Sequence, residues 1–223
     1  MSLLEMRGVG LDDGEHVPLH GVDLAVEAGD RVVVFGGSGS GKRTLLKLAA
    51  GILAPETGSV TLSGAGPIPL GFVSMEGGLL GNLTLLDNSI LPLLYHQLRG
   101  GRAAAKARAL FSELGIAQFA DRRPAEAGYG ARRLAQLARA LLCEPSLFVL
   151  EEPLAEIDAA AARSVRSLLD RLDGAVIVVT GSLGQYLDWG HRFLFLHEGR
   201  GLLFESAQAL RAAKAPEVRA CLD

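Results

Sequence analysis

The residues whose types and spacing have the clearest chemical use are Gly36-Gly37-Ser38-Gly39-Ser40-Gly41-Lys42-Arg43-Thr44. They lie between the apolar run Arg31–Phe35 and the helix-forming stretch Leu45–Leu53. Glycines at this spacing let backbone N–H groups converge on phosphate oxygens, and a helix starting beside them adds a positive partial charge. A lysine at the position of Lys42 reaches the β- and γ-phosphates of a nucleotide. A plain glycine-rich turn with an exposed lysine is the competing reading. The strand–loop–helix context favours phosphate binding over it.

The pattern breaks one residue later. The position after the lysine ordinarily carries Ser or Thr, whose hydroxyl ligates Mg²⁺. Arg43 stands there, a cation with no acceptor atom. Thr44 is no substitute, because one residue turns a helical side chain by about 100°. In one reading Arg43 simply disables metal binding. In the other its guanidinium replaces part of the metal's charge and holds a nucleotide without Mg²⁺. ATP is the expected cofactor, with or without the ion, and no residue is assigned as a metal ligand.

The elements around this loop are readable from periodicity. Arg31–Phe35, Ser146–Leu150 and Ala175–Thr180 are short, almost wholly apolar runs, as buried parallel strands are. His20–Glu27 alternates apolar and polar residues and predicts a half-exposed antiparallel strand. Helical periodicity marks Lys42–Leu53, Ala103–Leu114, Ala131–Cys143 and Ala160–Leu172, and turns are expected at Pro55–Gly58, Gly64–Pro69, Gly100–Gly101 and Gly181–Gly184. The order predicts an α/β fold over a single domain, 1–223, with a P-loop NTPase (RecA-like) core and an antiparallel β subdomain. An inserted α-helical subdomain is expected at about 83–135, where no strand interrupts the helical pattern.

Composition narrows the function classes. With 49% apolar and 21% charged residues, the chain can bury a sizeable core. A net charge of −3 argues against a nucleic-acid partner. Cys143 and Cys221 have no metal-ligand spacing and read as small hydrophobes in a reducing compartment. Met1–Arg7 is not a leader and no apolar run approaches a membrane span. The expected location is cytoplasmic, with membrane association through a partner.

With its elements in this order the chain resembles the ATP-binding subunits of ABC transporters over nearly its full length. Ala54-Pro55-Glu56-Thr57-Gly58-Ser59-Val60 looks like the turn and strand after the family's first helix, and Gly71–Leu80 occupies the Q-loop position. Ala127-Gly128-Tyr129-Gly130-Ala131 sits where the signature Leu-Ser-Gly-Gly-Gln is expected, and Leu137-Ala138-Arg139-Ala140-Leu141 is its usual continuation. Leu147–Glu152 with Pro153 matches the Walker B strand, and Ala155-Glu156-Ile157-Asp158 the D-loop. A narrower resemblance, to phospholipid-trafficking ATPases of the Mla/Mce type, rests on Gly78-Leu79-Leu80, Asp87–Leu93, Ala131-Arg132-Arg133 and Pro216-Glu217-Val218-Arg219.

The resemblance implies catalytic roles, and this chain departs from several of them. Glu152 keeps the identity of the carboxylate that orients the attacking water. Glu151 replaces the aspartate of the metal's shell and is one methylene longer. A carboxylate displaced by roughly 1 Å can cost on the order of a hundredfold. Met75 replaces the Q-loop glutamine, and Gly181 stands where the switch histidine follows the strand Ala175–Thr180. Gly128 and Tyr129 replace the serine and first glycine of the signature, and no aromatic residue precedes Phe35 to stack on adenine. Losing only two such elements at about 3 kcal/mol each approaches a 10⁴-fold loss.

A catalytically impaired pseudo-ATPase is therefore expected, dimeric and peripheral on the inner membrane, working with a transmembrane permease in a bacterial transporter of the lipid-trafficking type. A second ATPase subunit, in a heterodimer rather than a homodimer, would supply intact loops. Two alternatives stand: an active ATPase in which Arg43 and Glu151 pair across the metal position, and a scaffold that binds no nucleotide. Leu79, Leu80, Leu83 and Leu91–Leu94 line either a groove for the permease or subdomain core. Tyr95, Trp189 and His191 read as packing or surface residues, and Arg132 and Arg133 as a solvated helix face.

Overall fold

The structure, a computed structural model, describes residues 2–63, 67–96 and 100–222. They fall into two compact units, the first comprising Met1–Gly64, Ser146–Glu152 and Asp173–Asp223, the second Ala65–Pro145 and Pro153–Leu172.

The first unit is built on two sheets. Strands β1 (Ser2–Leu11), β2 (Leu19–Glu27) and β4 (Thr57–Leu62) form an antiparallel sheet in the order β2-β1-β4. Alternation places Val22, Leu24 and Val26 of β2 inside and His20, Asp23 and Ala25 outside, so one face is core and the other water. β1 has the same alternation at Leu4 and Met6 and then bulges, with Gly8 at φ 57° and its N–H donating to Asp23 Oδ1 at 2.7 Å. The bulge turns the inward period by one residue.

The larger sheet carries β6 (Leu147–Glu151), β7 (Ala175–Val179), β3 (Arg31–Phe35), β8 (Arg192–His197) and β9 (Arg200–Phe204), in that order. β3 runs parallel to β7 and β8, and β6 parallel to β7; β8 and β9 form an antiparallel edge. β3, β6 and β7 are buried along their whole lengths, which is why they read as continuous apolar runs rather than alternating ones. Helix α1 (Lys42–Ala49) follows β3 and buries Thr44, Leu45, Leu46, Leu48 and Ala49. Trp189 packs under Arg31, whose guanidinium lies 5.8 Å from the indole centroid. Short helices α6 (Ala207–Arg211) and α7 (Pro216–Arg219) close the chain.

The second unit contains strand β5 (Leu70–Val73) and helices α2 (Leu85–Tyr95), α3 (Gly100–Glu113), α4 (Tyr129–Leu142) and α5 (Ala159–Asp170). Thr84 caps α2 by accepting from Asp87 N–H at 3.0 Å. Ser89 Oγ donates to Ala135 O at 3.1 Å and fastens α2 to α4. Asn88, wholly buried, accepts from Leu80 N–H and donates to Leu80 O and Thr84 O, so the loop before α2 is pinned by one amide. Among the described residues no helix is long and apolar enough to cross a membrane.

Three sequence expectations need correction. Helix α1 stops at Ala49, not Leu53, because Gly51 adopts φ 68° and Ile52 N–H bonds back to Lys47 O, a left-handed helix stop. Gly100–Gly101 opens α3 instead of forming a turn. The expected turn Pro55–Gly58 is already strand at Thr57 and Gly58, where β4 pairs with β1. The expected turn Gly64–Pro69 falls in part on 64–66, outside the described residues.

Gly36 follows β3 at φ 150°, and a Cβ there would stand 2.1 Å from Leu196 O; at Gly37 nothing lies within 4 Å. Gly36→Ala is expected to cost about 2–4 kcal/mol and Gly37→Ala no more than about 0.5 kcal/mol, measured by denaturant unfolding. Equal losses would contradict this account of the loop's entry.

Candidate functional site

The carboxyl ends of three adjacent parallel strands deliver the site. β3 leads into the loop 36–41, β6 ends on Glu151 with Glu152 next, and β7 is followed by Thr180 and Gly181. Ligands of open parallel sheets gather at this end. Gly41 is the residue before α1, at φ 97°, and a Cβ on it would meet Leu19 Cδ2 at 2.6 Å. It contributes no side-chain cap to α1, whereas Thr84 and Asp158 cap α2 and α5. The first turn of α1 thus keeps its N–H groups for another acceptor. Lys42 Nζ donates to Gly36 O and Gly37 O, both at 2.7 Å. Burial pushes the Lys42 ammonium's pKa down, and the Glu152 carboxylate opposes the shift. Gly36, Gly37, Ser38, Gly39, Ser40, Gly41 and Lys42 therefore bring an ammonium and an uncapped helix start together in one glycine-rich loop, the chemistry that suits a phosphate chain.

The next residue changes what the cradle can hold. Arg43 Nε donates to Glu151 Oε1 at 2.7 Å, so the pair entertained from side-chain size forms. Glu151's side chain is 7% exposed and Arg43's 61%. Thr44 Oγ1 donates to Val17 O at 2.8 Å, and the residue is buried. Mg²⁺ requires near-octahedral oxygen ligands. Arg43 offers no lone pair, Glu151 is engaged by a guanidinium, and Thr44's hydroxyl points into packing. Among the described residues no group of three or more His, Cys, Asp and Glu could hold a metal. The residues present fit a nucleotide's phosphates and do not fit its usual metal.

Glu152 is held just as firmly. It sits at φ 46°, a left-handed conformation uncommon outside glycine, and its N–H donates to Val179 O at 2.9 Å. One carboxylate oxygen accepts from Thr180 Oγ1 at 2.9 Å and the other from Gly181 N–H at 2.5 Å. Ser182 N–H in turn donates to Thr180 Oγ1 at 2.8 Å. At the position where an imidazole was expected, a backbone N–H grips the carboxylate instead. Thr180 was missed as a site residue; a threonine closing an otherwise apolar strand was the available signal.

The remaining sequence candidates lie in the second unit. Gly128 precedes α4 with no side-chain cap, and Tyr129 is 42% exposed with the Arg132 guanidinium 5.6 Å from its ring centroid. Arg133 corrects the expectation of a solvated helix face. It is buried and donates to Ser74 O at 2.7 Å and to Gln136 Oε1 at 3.1 Å, because α4 is packed on more than one side. Met75, Leu79, Tyr129, Arg132 and Gln136 line a cleft of about 400 Å³. Of the other leucines named for a groove, Leu93 is core, Leu80 and Leu94 are exposed, and none of them lines the cleft. Tyr95 is exposed as expected. Asp158 caps α5 by accepting from Ala160 and Ala161 N–H, and Glu156 precedes it at φ 60°.

A family model described as "ABC transporter" matches residues 19–155. The chain is 34% identical over 203 residues to the aliphatic sulfonates import ATP-binding protein SsuB 1 of Paraburkholderia xenovorans, covering 88% of this chain and 58% of that protein. It is 35% identical over 221 residues to the lipoprotein-releasing system ATP-binding protein LolD of Pseudomonas fluorescens, covering 89% of this chain and 96% of that protein. The chain thus spans little more than half of the import protein and nearly all of LolD. Among solved structures, an ATP-binding subunit of an ABC transporter matches with a TM-score of 0.87 at 21% identity, over 99% of this chain and 100% of that one. A dimeric ATP-binding cassette in a post-hydrolysis state, bound to ADP and Pi, matches at 0.81 and 24% identity over 91% and 98%. At these identities the structures share the fold, an α/β cassette on a P-loop core.

Arg43→Ala removes a charged partner from the nearly buried Glu151 carboxylate. The expected loss is about 1–3 kcal/mol, below the range for a fully buried pair because Arg43 is largely solvated. Adding Glu151→Gln should recover a large part of it in a double-mutant cycle of unfolding free energies. Additive losses would show that the pair contributes nothing to stability.

Proposed function

The chain belongs to the ABC transporter family of ATP-binding proteins, and from that premise we propose that it is a nucleotide-binding subunit that holds ATP in its phosphate loop and hydrolyses it poorly. One observation carries the reading. The cradle Gly36–Lys42 is complete, while both oxygens of the Glu152 carboxylate are committed to Thr180 and Gly181. Phosphoryl transfer depends on positioning and charge stabilisation. A carboxylate held at each oxygen by one donor is restricted in how it can turn to orient water, and Gly181 offers no imidazole for a γ-phosphate.

The family premise supports a transmembrane permease and a second ATP-binding chain as partners, peripheral to the cytoplasmic side of the membrane. A heterodimer is favoured over a homodimer, because Tyr129 projects its ring where the family keeps a glycine. The cleft lined by Met75, Leu79 and Tyr129 is the proposed seat of the permease. A lipid-trafficking role is proposed as compatible with the similarity to the lipoprotein-releasing system protein LolD, 96% of whose length is covered.

Steady-state hydrolysis by the purified chain tests the proposal. With two elements of about 3 kcal/mol each missing, turnover should fall roughly 10⁴-fold below a typical ~10 s⁻¹. Lys42→Ala should weaken ATP binding at least about tenfold, the effect of losing one charge-assisted contact of about 1.5 kcal/mol or more. Turnover of several per second that collapses in Glu152→Gln would establish an active enzyme and sink the pseudo-ATPase reading.

A further inference from the structure

The Arg43–Glu151 pair determines more than the loss of a metal ligand. We infer that this phosphate loop selects the metal-free nucleotide and that Mg²⁺ weakens its binding. The inference rests on the proposed nucleotide binding and adds the ionic form of the ligand.

Two positively charged side chains succeed one another at the start of α1. Lys42 is half-buried in the cradle and Arg43 follows it with its guanidinium largely exposed. Phosphates are matched well by arginine, whose planar donors pair with two oxygens at once. A metal-free triphosphate carries two more negative charges than its Mg²⁺ complex, so its attraction to the Lys42 ammonium is the stronger one, while Arg43 is already compensated by Glu151.

The Mg²⁺ complex meets three obstacles in the same place. The ion would approach a guanidinium of its own sign. It would need Glu151, whose Oε1 is held by Arg43 Nε at 2.7 Å and whose side chain is nearly buried. Taking Glu151 from Arg43 breaks a pair whose carboxylate has little access to water, a cost that the exposure of Arg43 moderates but does not remove. Two other oxygen-bearing side chains of the site are already engaged: Thr44 Oγ1 donates to Val17 O, and Glu152 accepts from Thr180 and Gly181.

In most phosphate loops the ion is part of the ligand. Here the chain's own ion pair stands where the ion would bind, with Arg43 compensated by Glu151, and the positive charge that faces the phosphates without a metal is that of Lys42. The ligand class is therefore an uncomplexed polyphosphate anion on a nucleoside, with ADP subject to the same preference as ATP.

The test is isothermal titration of the purified chain with ATP, once in excess EDTA and once in excess Mg²⁺, at matched ionic strength. The dissociation constant is expected to be about tenfold or more lower in EDTA. Lys42→Ala should lose binding under both conditions, which assigns the heat to this loop. The double variant Arg43→Thr/Glu151→Asp, which supplies a hydroxyl and a shorter carboxylate, should invert the order, binding more tightly with Mg²⁺. Equal or tighter binding of the wild-type chain in Mg²⁺ overturns this inference and leaves nucleotide binding standing. Absence of binding in both conditions overturns nucleotide binding and the inference together.

Discussion

A carboxylate buried at the end of a parallel strand needs a counter-charge. In this chain an arginine meets that need where the family places the ligands of a metal. Glu151 closes β6 inside a sheet buried along β3, β6 and β7, and its compensation by Arg43 ties the first turn of α1 to the neighbouring strands. The phosphate loop is consequently braced from two sides, by Lys42 on its own carbonyls and by Arg43 on Glu151. A metal ion ordinarily supplies that second brace, and only when nucleotide is bound. Here it is covalently part of the chain.

The same substitution logic extends to Glu152. A glutamate in a left-handed conformation is a strained residue that persists only where its surroundings over-determine it. Here Val179 O fixes its backbone, and Thr180 and Gly181 fix its carboxylate. These contacts hold Glu152 in the arrangement described, which in the proposed function opposes the rearrangements that hydrolysis needs. On the proposed function, fold and catalysis draw on different atoms of the same segment. The backbone of 36–41 shapes the loop, and the side chains of Arg43 and Glu151 with the backbone N–H of Gly181 set the chemistry the site can offer.

Much of the fold was legible because buried parallel strands are continuous apolar runs. Arg31–Phe35 has the bounds read from the sequence, and the strand expected at Ala175–Thr180 is one residue shorter. What escaped has local causes. β1 breaks its alternation at the Gly8 bulge, β9 holds a glycine in its five residues, and α2 is apolar on most sides with Pro92 inside it, so neither period dominates. The Arg43–Glu151 pair spans 108 residues and was legible only as a match of sizes at two altered positions. The grip of Thr180 and Gly181 on Glu152 was not legible, since a backbone N–H is carried by every residue type except proline and leaves no mark in a sequence. Arg133 was misplaced on a solvated face because its charge was read without knowledge of how many sides of α4 are packed.

The central claim is that an internal ion pair holds the place of the metal beside an intact phosphate cradle. The most direct measurement is a crystal structure of the chain grown with ATP and Mn²⁺, with anomalous scattering used to locate the ion. The account predicts phosphates seated on Gly36–Lys42, the Arg43–Glu151 contact retained, and no manganese peak between Glu151 and the phosphates. A manganese ion ligated by Glu151, with Arg43 swung away from it, would contradict the account.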